Sequence, residues 1–323
     1  MLTKWFECVD PENQQDAITE AANLLKEGQV VAFPTETVYG LGANALNPEA
    51  VARIYEAKGR PSRNPIIVHV ASASAAQEIA ANWPPAALSL AEAFWPGPLT
   101  LVLPRHSCIP DIVTGGGNTV GIRVPAHPVA RALLTALDCP IAAPSANRSN
   151  HISPTRAEHV AADLAGRIPL ILDGGPCKGG LESTVISLVT PIPLLLRLGL
   201  IEPEQIEQVI GPILISSTNI SSSATLPSPG MMSRHYAPET TLLLTEDDQI
   251  ETLLALLRQR GGNPTHLELP DDHETCAAHL YEILREADAS GATHIVTSLP
   301  PAEGRWMAVR DRLLRAATPG QDL

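Results

Sequence analysis

The strongest constraint on this chain is a rhythm. Short apolar runs closed by proline or glycine recur between stretches with helical spacing. Helical spacing over 13–27 ends at Gly28, and a buried-strand run follows at 30–33. The pattern then predicts helix 48–57, strand 66–70, helices within 74–93, strands 99–103 and 119–124, helix 127–137, strand 140–143 and helix 155–164. Strands 169–172, 184–189 and 193–198 and helix 203–209 complete the series. Strands mostly separated by helices fold as α/β layers. The strands adjacent in sequence near 99–124 and 184–198 imply antiparallel pairs, so the sheet is expected to be mixed.

The rhythm breaks after residue 210 at ISSTNISSSATLPSPG, a Ser/Pro-rich connector. Beyond it, strands 241–245, 265–269 and 293–297 alternate with helices 247–260, 273–289 and 303–317, which predicts a small parallel three-layer α/β domain. The expected division is 1–210, a linker at 211–239, and 240–323. The balance of 22 Lys+Arg against 35 Asp+Glu leaves −13, shared by both halves, and argues against strong direct nucleic-acid binding. Five scattered cysteines without a C-x-x-C pair suggest a reducing compartment and no zinc module. With no signal-peptide core and no apolar span, the expected location is the cytoplasm.

Chemistry-bearing residues cluster at strand ends of the first part, where open α/β sheets assemble ligand sites. FPTETVYGLG (33–42) reads as a turn into a helix or as a substrate loop. RIYEAKGRPSRN (53–64) places Lys58 and Arg60 in a stiff loop suited to phosphate oxygens, or in a solvated surface run. His69 ends the next strand, where a lone histidine is more often structural. In TGGGNTVGIRVP, Arg123 sits inside an apolar strand and needs an anionic partner, either an internal Asp or a ligand. PIAAPSANRSNHISPT offers Ser145 and Asn147 past a strand, with Ser153 and Thr155 as candidate caps of the following helix. DGGPCKGGLESTV ends in Ser183 and Thr184, and Arg197 closes the next strand. No Walker loop and no Ser-His-Asp or Cys-His arrangement stands out. Nothing comparable marks the second part, which reads as a packing or regulatory domain.

PTETVYGLG, KGRPSRNPIIVHV, WPGPLTLVL, GIRVP, PSAN, DGG, LESTV and SPGMMSRHYAP, in this order, resemble the two-domain L-threonylcarbamoyladenylate synthases with a YrdC-type catalytic domain. The resemblance covers roughly residues 10–240. It implies a YrdC-like twisted mixed sheet joined to a smaller Rossmann-like domain, with the linker folding over the active site. It further implies conversion of ATP, L-threonine and bicarbonate to threonylcarbamoyl-AMP and pyrophosphate, an adenylyl transfer. The product would feed the machinery that modifies the tRNA adenosine next to the anticodon.

Carried over by motif, Lys58, Arg60, Ser145 and Asn147 correspond to the catalytic Lys-x-Arg and Ser-x-Asn signature. Thr37, His69, Arg123, the backbone at Ala143, and Ser183 correspond to threonine contacts. Arg60, Asn64, Thr119, Ser145, Ser153, Arg197 and, from the connector, Arg234 and His235 correspond to ATP contacts. Mg2+ is expected mainly on the triphosphate, with no protein metal ligands. On this reading alanine at Lys58 or Arg60 abolishes pyrophosphate release without unfolding the chain. A hydrogenase-maturation carbamoyltransferase, which shares the catalytic fold, would bring zinc-binding cysteine pairs that are absent here.

Overall fold

A computed structural model describes residues 2–8, 11–216 and 236–318. The first part runs β1 (Lys4–Glu7), α1 (Pro11–Lys26), β2 (Val31–Phe33), β3 (Gly40–Asn44), α2 (Pro48–Lys58), β4 (Val68–His69), α3 (Ala73–Ile79), α4 (Pro85–Phe94) and β5 (Leu99–Pro104). It continues with α5 (Asp111–Thr114), β6 (Thr119–Arg123), α6 (Pro128–Leu137), β7 (Ile141–Ala142), α7 (Ala157–Leu164), β8 (Leu170–Asp173), β9 (Thr184–Ser187), β10 (Leu194–Arg197), α8 (Pro203–Ile210) and β11 (Leu214–Ile215). These strands form one mixed sheet in the order β1-β8-β2-β3-β7-β4-β6-β5-β9-β10-β11. As expected, β5 and β6 pair antiparallel, and so do β9 and β10. One apolar core lies under α2, α4 and α7, and a second lies under α1 and α6.

Three strands depart from the sequence reading. β1 and β11 sit at the two edges of the sheet, where one neighbour suffices and the burial pattern is weak. β3 replaces the expected turn into a helix. The side chain missing at Gly42 makes room for its neighbours: a Cβ there would lie 2.7 Å from both Phe33 and Ile141. Glycine here serves close sheet packing rather than a turn.

Lys58 also departs, because it is the last residue of α2 rather than part of a loop. Asn47 caps that helix, accepting from the amides of Glu49 and Ala50, and Pro48 starts it. Gly59 ends it in the left-handed region at φ 63°. Arg60 therefore leaves the helix at a sharp angle while Lys58 stays on its inner face.

The second part comprises β12 (Thr241–Thr245), α9 (Ile250–Gln259), β13 (Pro264–His266), α10 (His273–Ala289), β14 (His294–Ser298) and α11 (Met307–Ala316). Its strands are all parallel in the order β12-β14-β13. α9 covers one face of this sheet. α10 and α11 cover the other, and their core continues into Val38, Ile152 and Leu181 of the first part. Ion pairs cross the same boundary, among them Arg285 to Asp163 at 2.8 Å, Arg156 to Glu282 at 2.6 Å and Arg312 to Glu182 at 2.9 Å. The second part is therefore docked, not merely tethered.

Candidate active site

Parallel strands end their register together, so the loops that follow them meet. β4 and β6 pair in parallel with His69 opposite Arg123, and β7 brings the 143–147 loop beside them. The Pro34–Tyr39 loop, Arg60, Ser183 and Arg197 close the same hollow. It spans about 510 Å³ of open space, the solvent at its mouth included. Of the residues predicted from sequence, Thr37, Arg60, His69, Arg123, Ala143, Ser145, Ser183 and Arg197 line it.

The open question of the partner of Arg123 is answered by an internal carboxylate, Glu36 rather than an Asp. Arg123 Nη2 donates to Glu36 Oε1 at 2.6 Å, Nη1 to Thr37 Oγ1 at 3.0 Å, and Nε to Gly97 O at 3.3 Å. The other Glu36 oxygen accepts from the Ala126 amide at 2.9 Å. Burial pushes the Glu36 carboxyl up, but the charge and hydrogen bond of Arg123, together with backbone amides including that of Ala126, outweigh it and hold the group below the usual range. His69 is buried beside the same arginine. Desolvation, reinforced by the Arg123 charge, drives it down to about 3, so its imidazole is neutral at physiological pH. Its Nδ1 has no hydrogen-bond partner among the described residues.

On the opposite wall Arg197 Nε donates to Ser183 O at 3.0 Å and Nη2 to Ser183 Oγ at 3.1 Å. Thr100 shares a hydroxyl contact with Ser183 at 2.8 Å. Arg60 Nη2 donates to Pro65 O at 2.9 Å. Burial pushes its guanidinium down to about 10, and the Arg197 charge adds to that. Three guanidiniums thus border one cleft, with hydroxyls between them.

Lys58 lies behind this surface. Its Nζ donates to Ser145 O at 2.6 Å, to Asn147 O, and to Asn147 Oδ1 at 3.5 Å. An ammonium has three donors, and all three are engaged. Desolvation draws its pKa well below the ordinary lysine value. Asn147 and Asn64 are buried next to the cleft without lining it. Thr119 opens β6 at the end opposite Arg123. Ser153 and Thr155 do not cap the helix that follows them. Arg156 holds the cap position of α7, and Ser153 Oγ instead donates to Glu182 Oε1 at 2.6 Å. Arg234 and His235 lie outside the described residues.

Four residues of this neighbourhood escaped the sequence reading: Glu36, Glu182, Tyr236 and Arg312. Glu182 lines the cleft and is almost fully buried. Burial raises its carboxyl, and Arg312, Arg197 and Ser153 together bring it below the usual range. A carboxylate at the end of the glycine-rich loop DGGPCKGGLESTV is the available signal, since such a group demands a buried cation.

Fold and cleft together define a two-domain α/β protein in which a mixed sheet presents an arginine-lined cleft. A family model described as "Telomere recombination" (Sua5_yciO_yrdC) matches residues 23–199, and one described as "Threonylcarbamoyl-AMP synthase, C-terminal domain" matches residues 201–318. The threonylcarbamoyl-AMP synthase of Bacillus subtilis is 46% identical, covering 98% of each chain. That of Pyrococcus abyssi is 44% identical, over 92% of this chain and 93% of its own. A crystal structure of P. abyssi Sua5 complexed with L-threonine superposes with a TM-score of 0.92 at 42% identity, covering 98% of both chains. The chain belongs to the threonylcarbamoyl-AMP synthase family.

Proposed function

We propose that this chain is a threonylcarbamoyl-AMP synthase, an adenylyl transferase that uses ATP, L-threonine and bicarbonate and releases pyrophosphate. The observation that carries the reading is the convergence of Arg60, Arg123 and Arg197 on one cleft with the hydroxyls of Thr37, Ser145 and Ser183. Two bound species, a polyphosphate and an amino-acid carboxylate, account for three buried guanidiniums better than one does.

In this mechanism the threonine amine takes up bicarbonate as a carbamate with loss of water. A carbamate oxygen then attacks the α-phosphorus of ATP, the bond from that phosphorus to the α,β-bridging oxygen breaks, and pyrophosphate leaves. Arg123, already oriented by Glu36 and Thr37, holds the threonine carboxylate. Arg60 and Arg197 offset charge growing on the phosphates. The neutral His69 beside Arg123 receives the threonine without adding a cation. Lys58 braces the 145–147 loop so that Ser145 faces the nucleotide. The main contribution of the protein is alignment.

The residues present are a poor fit to a protein-bound magnesium. Glu182, which lines the cleft, and Glu36, which holds Arg123, are each taken by an arginine, and no metal-holding cluster of His, Cys, Asp and Glu occurs among the described residues. We therefore assign Mg2+ to the triphosphate and route no step through protein ligands. The product would pass to the tRNA threonylcarbamoyl-transfer machinery. Five free cysteines support a reducing, cytoplasmic setting. The test is ATP-to-pyrophosphate conversion by the purified chain. The reading requires dependence on both threonine and bicarbonate, and turnover that ignores either one overturns it.

A further inference from the structure

We infer that the C-terminal domain sets the shape of the active-site cleft, and that Arg312 is the positioning residue through which it does so. The kinetic part of this inference rests on the function proposed above; the structural part does not.

Among the described residues, none from 240 onward lines the cleft, although Tyr236, just before β12 and packed into the same core, does. The grip of the C-terminal domain is one residue removed on both sides. Arg312, on α11, is wholly buried. Its Nε donates to Glu182 Oε2 at 2.9 Å, and its Nη2 donates to Leu198 O at 2.8 Å. Glu182 immediately precedes Ser183, and Leu198 immediately follows Arg197. One rigid planar fork therefore pins the chain next to both residues of the Ser183–Arg197 wall. Those two are bonded to each other, so they move as a unit.

The carboxylate of Glu182 is the hub. Tyr281 of α10 donates to its Oε2 at 2.9 Å, while Ser153 donates to Oε1 at 2.6 Å from the catalytic side. The Tyr236 ring lies 5.1 Å from the Arg312 guanidinium and stacks on Tyr281 at 5.8 Å. Such a pair is a poor device for simple adhesion. Both charges have been taken out of water, and well-packed apolar residues join surfaces at least as firmly. What apolar residues cannot do is aim a carboxylate that also orients Ser153 and sets the direction of the chain at Ser183.

The backbone of the same segment carries a second, independent observation. Gly180 adopts φ +71°, and a Cβ there would lie 2.2 Å from Ala277 O and 2.4 Å from Ala278 O, both on α10. The chain leading to Glu182 thus rests directly on the main chain of the C-terminal domain. One residue earlier, the Gly179 amide donates to Glu36 O at 2.8 Å, which ties the segment to the loop that orients Arg123. Docking of the small domain and placement of two cleft walls are one geometric fact.

The experiment compares the full chain with Arg312→Met, Arg312→Lys and Gly180→Ala, the last acting on the docking contact without touching any charge. Steady-state pyrophosphate release gives kcat and KM for ATP and for threonine, and hydrogen exchange with mass spectrometry reads the 180–198 segment. We expect Arg312→Met and Gly180→Ala to lower kcat/KM by about 10²-fold, the scale of a 1 Å misplacement. Exchange should rise locally over 180–198 while α1 and α6, remote from the boundary, keep their protection. Arg312→Lys restores the charge on Glu182 but not the second arm to Leu198, and should fall between. The inference fails if the folded variants stay within threefold of the parent. It also fails if exchange rises uniformly over both domains in proportion to lost stability, which would make Arg312 a general stability residue. Should the parent itself release no pyrophosphate, the functional reading is at fault, and the exchange pattern alone decides the positioning role.

Discussion

Lys58→Met separates two roles for the lysine of the Lys-x-Arg signature. Methionine keeps an apolar stem of similar reach and deletes the ammonium, so Ser145 O and Asn147 O, both held only by that group in the bonds described, lose their donor. A buried acceptor left unmade costs about 1–3 kcal/mol, hence about 2–6 kcal/mol for the pair. Removing a buried ammonium that burial already disfavours returns part of this, leaving a net loss of roughly 2–4 kcal/mol. For a chain of 323 residues, at about 2.1 cal/mol/K of unfolding entropy per residue, that corresponds to a fall in Tm of roughly 3–6 °C. Thermal and urea unfolding, run beside pyrophosphate release at a temperature where the variant is folded, reads both effects. If Lys58 instead contacts phosphate, the variant will melt within about 1 °C of the parent and release no pyrophosphate, and the bracing role is refuted.

Two further outcomes follow from the charges at the cleft. His69, held near 3 in the folded state against 6.5 when exposed, binds fewer protons folded than unfolded between those values, so it makes stability fall as pH drops through that window. Its imidazole NMR signals, identified by loss in His69→Gln, should not titrate between pH 5 and 8; a midpoint near 6.5 would place the ring in water. Glu36, lowered from 4.5 by Arg123 despite burial, contributes stability that is present above that value and lost as pH falls through the folded one. Glu36→Gln should cost about 1.5–3 kcal/mol at neutral pH, and its Tm should converge on that of the parent below pH 4.5; a gap that stays constant with pH would mean the carboxylate charge is not what matters.

The order of strands and helices was legible along the chain because period and burial are local properties. The antiparallel pairs at β5/β6 and β9/β10 followed from strands adjacent in sequence. The glycine of β3 misled because the same missing side chain that permits a turn also permits Phe33 and Ile141 to close over a strand. Along the chain Lys58 reads as a loop residue because the glycine and proline after it are loop signals, whereas the helix runs one residue past the expected 57 and ends on Lys58 itself.

The cleft shows the same division. Its cations and hydroxyls announce themselves locally, as polar groups where apolar runs finish. Their partners do not. Glu36 meets Arg123 across 87 positions, and Glu182 meets Arg312 across 130. Which buried charge neutralises which depends on how α11 and α10 dock against the catalytic sheet, and no short-range pattern encodes that. From the order of its residues alone, then, the chain declares its layers, its connector and the chemical character of its loops. The pairing of its buried charges, and with it the part the small domain plays in the cleft, emerges only once distant segments share a dry interior, because there an unpaired charge is too costly to keep.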